Sequence, residues 1–129
     1  MKRWLVDGTN VVGTRPDGWW RDRPAAFARL VDRLRPLVER GDEVVVVFDG
    51  REAPTLVEGD HAGVTVRWAP RGGRDAADDR IVDLVTGDHD GASLTVVTSD
   101  RALAARAVVG GAEVVGAGTL LRLLDELGR

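Results

Sequence analysis

Three apolar runs in this sequence end in aspartate: "RWLVD" at Asp7, "VVVVFD" at Asp49 and "LTVVTSD" at Asp100. A fourth acidic group, "DAADD", sets Asp75, Asp78 and Asp79 at i, i+3 and i+4, on one face of a helix's first turn. Gathered at one place, such carboxylates repel by about 1 kcal/mol per pair at 4 Å even in bulk water, and by several times more near protein. They then either take up protons or hold a divalent cation. With no cysteine in the chain, the donors are oxygens, which suit Mg2+ or Mn2+ rather than zinc. Ions held in this way ordinarily work on phosphate esters.

Each residue also has a purely structural reading. Asp75 could cap a helix, with Asp78 and Asp79 answering the positive end of its dipole. Asp100 could cap the helix "RALAARAVV", and Asp49-Gly50 is ordinary turn chemistry. Asn10 either orients a water or a phosphate through its amide or makes a local backbone bond. Thr98 and Ser99 hold Asp100, bind phosphate, or simply cap. His61 and His89 fall in polar loops, and "GDHDGA" reads as an exposed turn.

Whether the carboxylates meet depends on the elements that carry them. Apolar, valine-rich segments at 3–7, 43–49, 64–69, 94–98 and 112–115 read as strands buried on both faces, hence parallel. Between the first two, Phe27, Leu30, Val31, Leu34 and Val38 make one helical stripe, with Pro36 set to kink or tighten its last turn. Further helical patterns hold Ile81, Val82 and Val85, then Leu103, Ala107 and Val108, then Leu120, Leu121, Leu124 and Leu127, the last closed by Gly128. This alternation predicts an α/β fold: a three-layer α/β/α sandwich on a mainly parallel five-stranded sheet, one domain over residues 1–129. Open sheets of this kind take ligands beyond the carboxyl ends of their strands, where strand order switches. All three strand-end aspartates lie at that rim, and Asp7 and Asp100 become neighbours if the first and fourth strands run side by side.

Composition narrows the function. The net charge of −3 and pI of about 5.4 exclude a bulk positive field, so any grip on a polyanion depends on where charge sits. Seventeen of the eighteen basic residues are arginine, a preference that genomic base composition explains as readily as phosphate recognition does. The missing cysteine excludes disulfides, thiolate metal sites and a cysteine nucleophile. After the basic Lys2 and Arg3 only Trp4, Leu5 and Val6 form an apolar stretch before Asp7, too short for a signal peptide. The longest apolar run, Val44 to Phe48, cannot span a bilayer. A soluble, cytoplasmic protein with no membrane partner is the expectation.

An acidic site must still attract its substrate. The loop "GTRPDGWWRDRP" supplies Arg15, Arg21 and Arg23 beside Trp19 and Trp20, and it follows the first strand, so it should overhang the rim. Indole faces stack on unpaired bases at about 1–3 kcal/mol each while arginines take phosphates. One of the two tryptophans is expected to be buried as a lid and the other partly exposed. Arg51, Arg71, Arg74 and Arg101 also flank strand ends, either to hold phosphates or to pair with the carboxylates.

"LVDGTNVVG", "VVVVFDG", "DAADDRIVDLV" and "LTVVTSDRAL", in this order and spacing, resemble the YacP-like NYN domains of the PIN-like ribonuclease superfamily, over roughly residues 3 to 125. The resemblance implies a PIN-like fold with strand order 3-2-1-4-5 and a metal-dependent ribonuclease leaving 5′-phosphate and 3′-hydroxyl ends. It implies that Asp7 is the first-strand metal ligand with Asn10 its companion, that Asp78 is the helical ligand with Asp79 beside it, and that Asp100 is the fourth-strand ligand. Asp49 closes the second strand. Asp75 stands where relatives often carry glutamate, and Ala104, one turn past Asp100, replaces a carboxylate found in some relatives. The implied chemistry is phosphodiester hydrolysis by water activated on one or two Mg2+ or Mn2+ ions, with single-stranded or structured RNA as the partner.

Other readings compete. A haloacid-dehalogenase phosphatase needs an aspartate two residues before Asp7, where Leu5 stands. A receiver domain needs a lysine after its fifth strand, and the only lysine is Lys2. The serious alternative is a PIN-like module that binds RNA or a protein without cutting. The sequence leaves a homodimer or a protein partner open.

Overall fold

The computed structural model describes residues 2–69, 76–86 and 94–128. Of the positions singled out above, Arg71, Arg74, Asp75 and His89 lie outside the described residues.

The first strand, β1 (Arg3–Asp7), lies at the centre of the sheet. It pairs in parallel with β2 (Glu43–Asp49) on one side and β5 (Leu94–Val97) on the other. Outward from β2 come β4 (Val64–Ala69) and then β3 (Gly59–His61). Outward from β5 comes β6 (Glu113–Val115). The full order is β3-β4-β2-β1-β5-β6. Five of the strands therefore follow the expected 3-2-1-4-5 order, and among the described residues the sheet has six strands rather than five.

The extra strand is β3, antiparallel to β4 through a two-residue turn at Ala62 and Gly63, with φ of 52° and 95°. Both central residues have positive φ, the geometry that matches hairpin twist. Gly-Asp-His has little strand propensity and no apolar alternation, so its extended form is imposed by β4 and not by its own composition. His61, expected in a loop, ends this strand, and its Nε2 sits 2.5 Å from the Val57 carbonyl oxygen.

Alternate residues of the central strands feed two cores. Trp4, Val6, Val46, Phe48 and Val97 face a layer built from α1 (Gly8–Gly13), α2 (Arg23–Glu39) and α5 (Ala117–Leu127). Leu5, Val47, Leu94 and Val96 face α3 (Ala76–Thr86) and α4 (Arg101–Val109), through Ile81, Val85, Leu103 and Ala107. This two-sided burial is what the unbroken valine runs require. In α2 Phe27, Leu30, Val31 and Leu34 of the predicted stripe are buried, Leu37 rather than the partly buried Val38 completes that face, and the helix continues past Pro36 to Glu39. No described helix is long and apolar enough to cross a membrane.

One segment differs from expectation. "GTNVVG", to which no helix was assigned, is the six-residue helix α1, and the loop after it contains a 3-10 turn at Trp19–Arg21. Valines and glycines over so short a span carry no recognisable helical period. The helix forms because Val11 is buried in the core between β1 and α2.

Candidate active site

Asp7 ends β1, in the middle of the sheet, and is only 4% exposed. In register, Val6 faces Val97 of β5, so the next residue of each strand meets across the gap. The Thr98 hydroxyl donates to Asp7 Oδ2 at 2.8 Å. The same hydroxyl oxygen accepts the Asp100 backbone N–H at 3.1 Å. Thr98 is thus the shared support of two of the predicted ligands. The β1/β5 register was the signal that could have revealed this role.

The remaining residues of "DGTN" each brace this corner. Gly8 is set by close approach: a Cβ there would lie 2.4 Å from the Phe48 ring and 2.7 Å from Val46 Cγ2. Phe48 has no room to yield, because it stacks on Phe27 at 4.3 Å and 7°. Thr9 Oγ1 accepts the Asp49 backbone N–H at 2.9 Å, tying α1 to the end of β2. Asn10 Oδ1 accepts the Ser99 backbone N–H at 2.8 Å, tying α1 to the loop after β5. Ser99 Oγ in turn accepts the N–H of Ala117 at the start of α5, at 3.0 Å. A turn that reads as flexible chemistry in sequence is a brace between three strand ends.

Burial pushes the Asp7 carboxyl up. The Thr98 hydroxyl and the Asn10 main-chain N–H work against that rise, but the charges of Asp78 and Asp49 add to it, and the carboxyl is pushed up to about 7. Asp78 and Asp49 therefore reach Asp7 electrostatically, from α3 and from β2. Asp49 precedes Gly50, whose φ of 109° makes the predicted turn a real one.

The other acidic residues are placed differently. Asp100 accepts the N–H groups of Ala102 and Leu103 at 2.9 and 3.1 Å, so it caps α4, the structural role weighed for it above. Asp79 is exposed, and its Oδ1 pairs with Arg106 of α4 at 3.0 Å. Among the described residues, no three histidine, aspartate or glutamate side chains are spaced to share a metal ion. The close acidic company of Asp7 is thus Asp78 and Asp49. Asp100 lies two residues beyond Asp7's neighbour Thr98, and Asp79 looks toward α4. An all-oxygen set with an ionisation-resistant carboxyl at its centre fits a hard cation such as Mg2+, which keeps several waters and takes only one or two carboxylates.

On the loop after α1, Trp19 is half-buried against the core while Trp20 is 54% exposed. The rings meet edge to face at 6.3 Å. Arg21 lies over Trp20 at 5.9 Å and Arg23 over Trp19 at 5.5 Å. Arg15 reaches away to Asp125 of α5, at 3.2 Å, beside Arg33 on the same carboxylate. Arg51 and Arg101 are exposed, with no ion-pair partner among the described residues.

The sequence matches the YacP-like NYN domain family over residues 4–129. Among solved structures, the chain is similar to Rae1 (YacP) from Bacillus subtilis. A crystal structure of a tryptophan-to-leucine mutant of that protein superposes with a TM-score of 0.82 at 25% identity, covering all of this chain and 78% of that one. Another crystal structure of Rae1 gives a TM-score of 0.77 at 27% identity, covering all of this chain and 76% of that one. No curated protein matches the sequence. The three-layer α/β arrangement is that of the YacP structures.

Proposed function

Because the chain belongs to the YacP-like NYN domain family, whose PIN-like fold is of the nuclease type, we propose that it hydrolyses RNA phosphodiesters with the help of Mg2+ or Mn2+. The observation that carries this reading is the state of Asp7: a buried carboxyl at the central strand end, its ionisation opposed by Asp78 and Asp49. Such a position is costly to keep charged unless a cation joins it.

In this reading Asp7 and Asp78 would hold the ion and Asp49 would supply a third negative charge, while Asp100 is tied through its backbone N–H to Thr98 and caps α4. A bound divalent ion supplies Lewis-acid chemistry, lowering the pKa of a water and offsetting charge at the scissile phosphate. The Thr98 hydroxyl fixes which oxygen of Asp7 is occupied and leaves the other to act. Asn10 keeps the β1 and β5 ends in register through Ser99. Asp79, engaged by Arg106, stands outside the ligand set. Trp20 stacks on an unpaired base, and Arg21, Arg51 and Arg101 neutralise phosphates along the rim.

The test is cleavage of an end-labelled single-stranded RNA with Mg2+, Mn2+ or EDTA, comparing wild type with Asp7→Asn. Metal-dependent cleavage that the variant loses by at least about a hundredfold supports the proposal. RNA binding without cleavage under every metal condition would assign the chain to the non-catalytic class instead.

A further inference from the structure

We propose that Arg80 is a positioning residue for Asp78, acting through main-chain groups at the open edge of β4. This rests on the reading of Asp78 as an ion-holding residue. β3 is only three residues long and its pairing with β4 stops at Gly59 opposite Val66. The next β4 residue facing that side is Trp68, and among the described residues no strand pairs with its backbone there. Two side chains do so instead. The Trp68 N–H donates to Glu58 Oε1 at 2.9 Å, and the Trp68 carbonyl accepts from Arg80 Nη1 at 2.7 Å. Arg80 Nη2 then pairs with the same Glu58 oxygen at 3.1 Å, closing the ring.

The guanidinium therefore replaces a missing strand, and it belongs to α3, two residues after Asp78. Its planar fork can serve a carbonyl and a carboxylate at once, which an ammonium on a flexible stem does less well. On the neighbouring side of the same turn, Asp79 pairs with Arg106 of α4. The first turn of α3 is thus held to β4 by one residue and to α4 by another. The residue ahead of both, Asp78, acts on Asp7. Trp68 is itself fixed, since its indole N–H donates to the Leu56 carbonyl at 2.8 Å and its ring packs on Phe48 at 5.4 Å. The carboxylate's place over the rim is referred back to the rigid sheet edge through Arg80.

The test compares wild type, Arg80→Lys and Arg80→Ala in the full chain. Mn2+ affinity is measured by calorimetry, RNA cleavage as separate kcat and KM, and stability by thermal unfolding. Residues that orient metal ligands typically contribute about 10- to 100-fold in metal affinity, so Arg80→Ala should weaken Mn2+ binding about tenfold. It should lower kcat and leave the KM for RNA within about twofold. Arg80→Lys should fall between. Should Arg80→Ala not fold, Arg80→Lys and Glu58→Gln provide the comparison, both weakening Mn2+. A lower melting temperature with unchanged Mn2+ affinity would overturn the assignment while leaving the metal reading intact. Absence of Mn2+ binding to wild type would overturn both.

Discussion

The Thr98 hydroxyl stands between two carboxylate-bearing residues, donating to Asp7 Oδ2 at 2.8 Å and receiving the Asp100 N–H at 3.1 Å. One oxygen thus sets the orientation of one candidate ligand and the backbone of another. Thr98→Val keeps the shape and removes both bonds, leaving two polar groups unpaired where Thr98 is 2% exposed. We expect a loss of about 1–3 kcal/mol in urea denaturation. Because that hydroxyl holds the Asp7 carboxyl down, its removal should also move Mn2+ loading to higher pH. Unchanged stability and loading in the variant would show the bridge to be idle.

Asp7 itself should make the protein less stable as pH rises. Its carboxyl titrates near 7 in the fold, against an ordinary value of 3.8. Between those two values the folded chain holds a proton that the unfolded chain has released, so stability declines across this window and levels off above it. The full loss is roughly 3–5 kcal/mol. Without divalent ions, Asp7→Asn should therefore be the more stable protein near pH 8 and equal to wild type below pH 4. Denaturant unfolding across pH, wild type against variant, reads this directly, and parallel curves would refute it. A variant that gains stability while losing cleavage would mark a position kept for activity.

The same ionisation governs metal uptake. Binding must displace the Asp7 proton, so Mn2+ affinity should rise about tenfold per pH unit below 7 and flatten above it. Calorimetry in buffers of different ionisation enthalpy would count the proton released. A pH-independent affinity would place the ion elsewhere.

Asp79 offers a contrast with its neighbour. Its bond to Arg106 joins two exposed side chains, and pairs of that kind contribute about 0–1 kcal/mol. Asp79→Asn should change cleavage less than twofold, whereas Asp78→Asn should lose nearly all of it. A large loss for Asp79→Asn that Arg106→Ala does not reproduce would return Asp79 to the ion.

Trp20 and Trp19 should separate binding from folding. Trp20→Ala removes an exposed ring and should raise the KM for single-stranded RNA about tenfold, the equivalent of one lost base stack, with the melting temperature unchanged. Trp19→Ala, which opens the core beneath the loop, should lower the melting temperature. Equal effects from both would make the pair structural.

The architecture was legible because its signal is local. The valines of β2 and the stripe of α2 state their environments within a few residues, while the strand order was implied only by the resemblance of the four aspartate-bearing blocks. What could not be read depends on partners far along the chain. Nothing near Asp79 announces that Arg106 will face it, whereas adjacent Asp78, which the resemblance had grouped with Asp7, does act on that carboxyl. Gly8 looks like turn chemistry, yet the constraint comes from Phe48, forty residues away. β3 has no sequence signature because β4 imposes its conformation. Asp100 was read both as cap and as ligand, and its bonds to the Ala102 and Leu103 N–H groups bear out the cap.

The two outermost strands, β3 and β6, each extend over only three residues. A sheet that stops so soon on either side presents few free amide and carbonyl groups in a row. On the β3 side, Glu58 and Arg80 occupy the next pair with charged side chains. A second molecule arriving edge-on finds little main chain to dock against. Though rich in valine, the chain should resist lateral growth into fibrils even when concentrated.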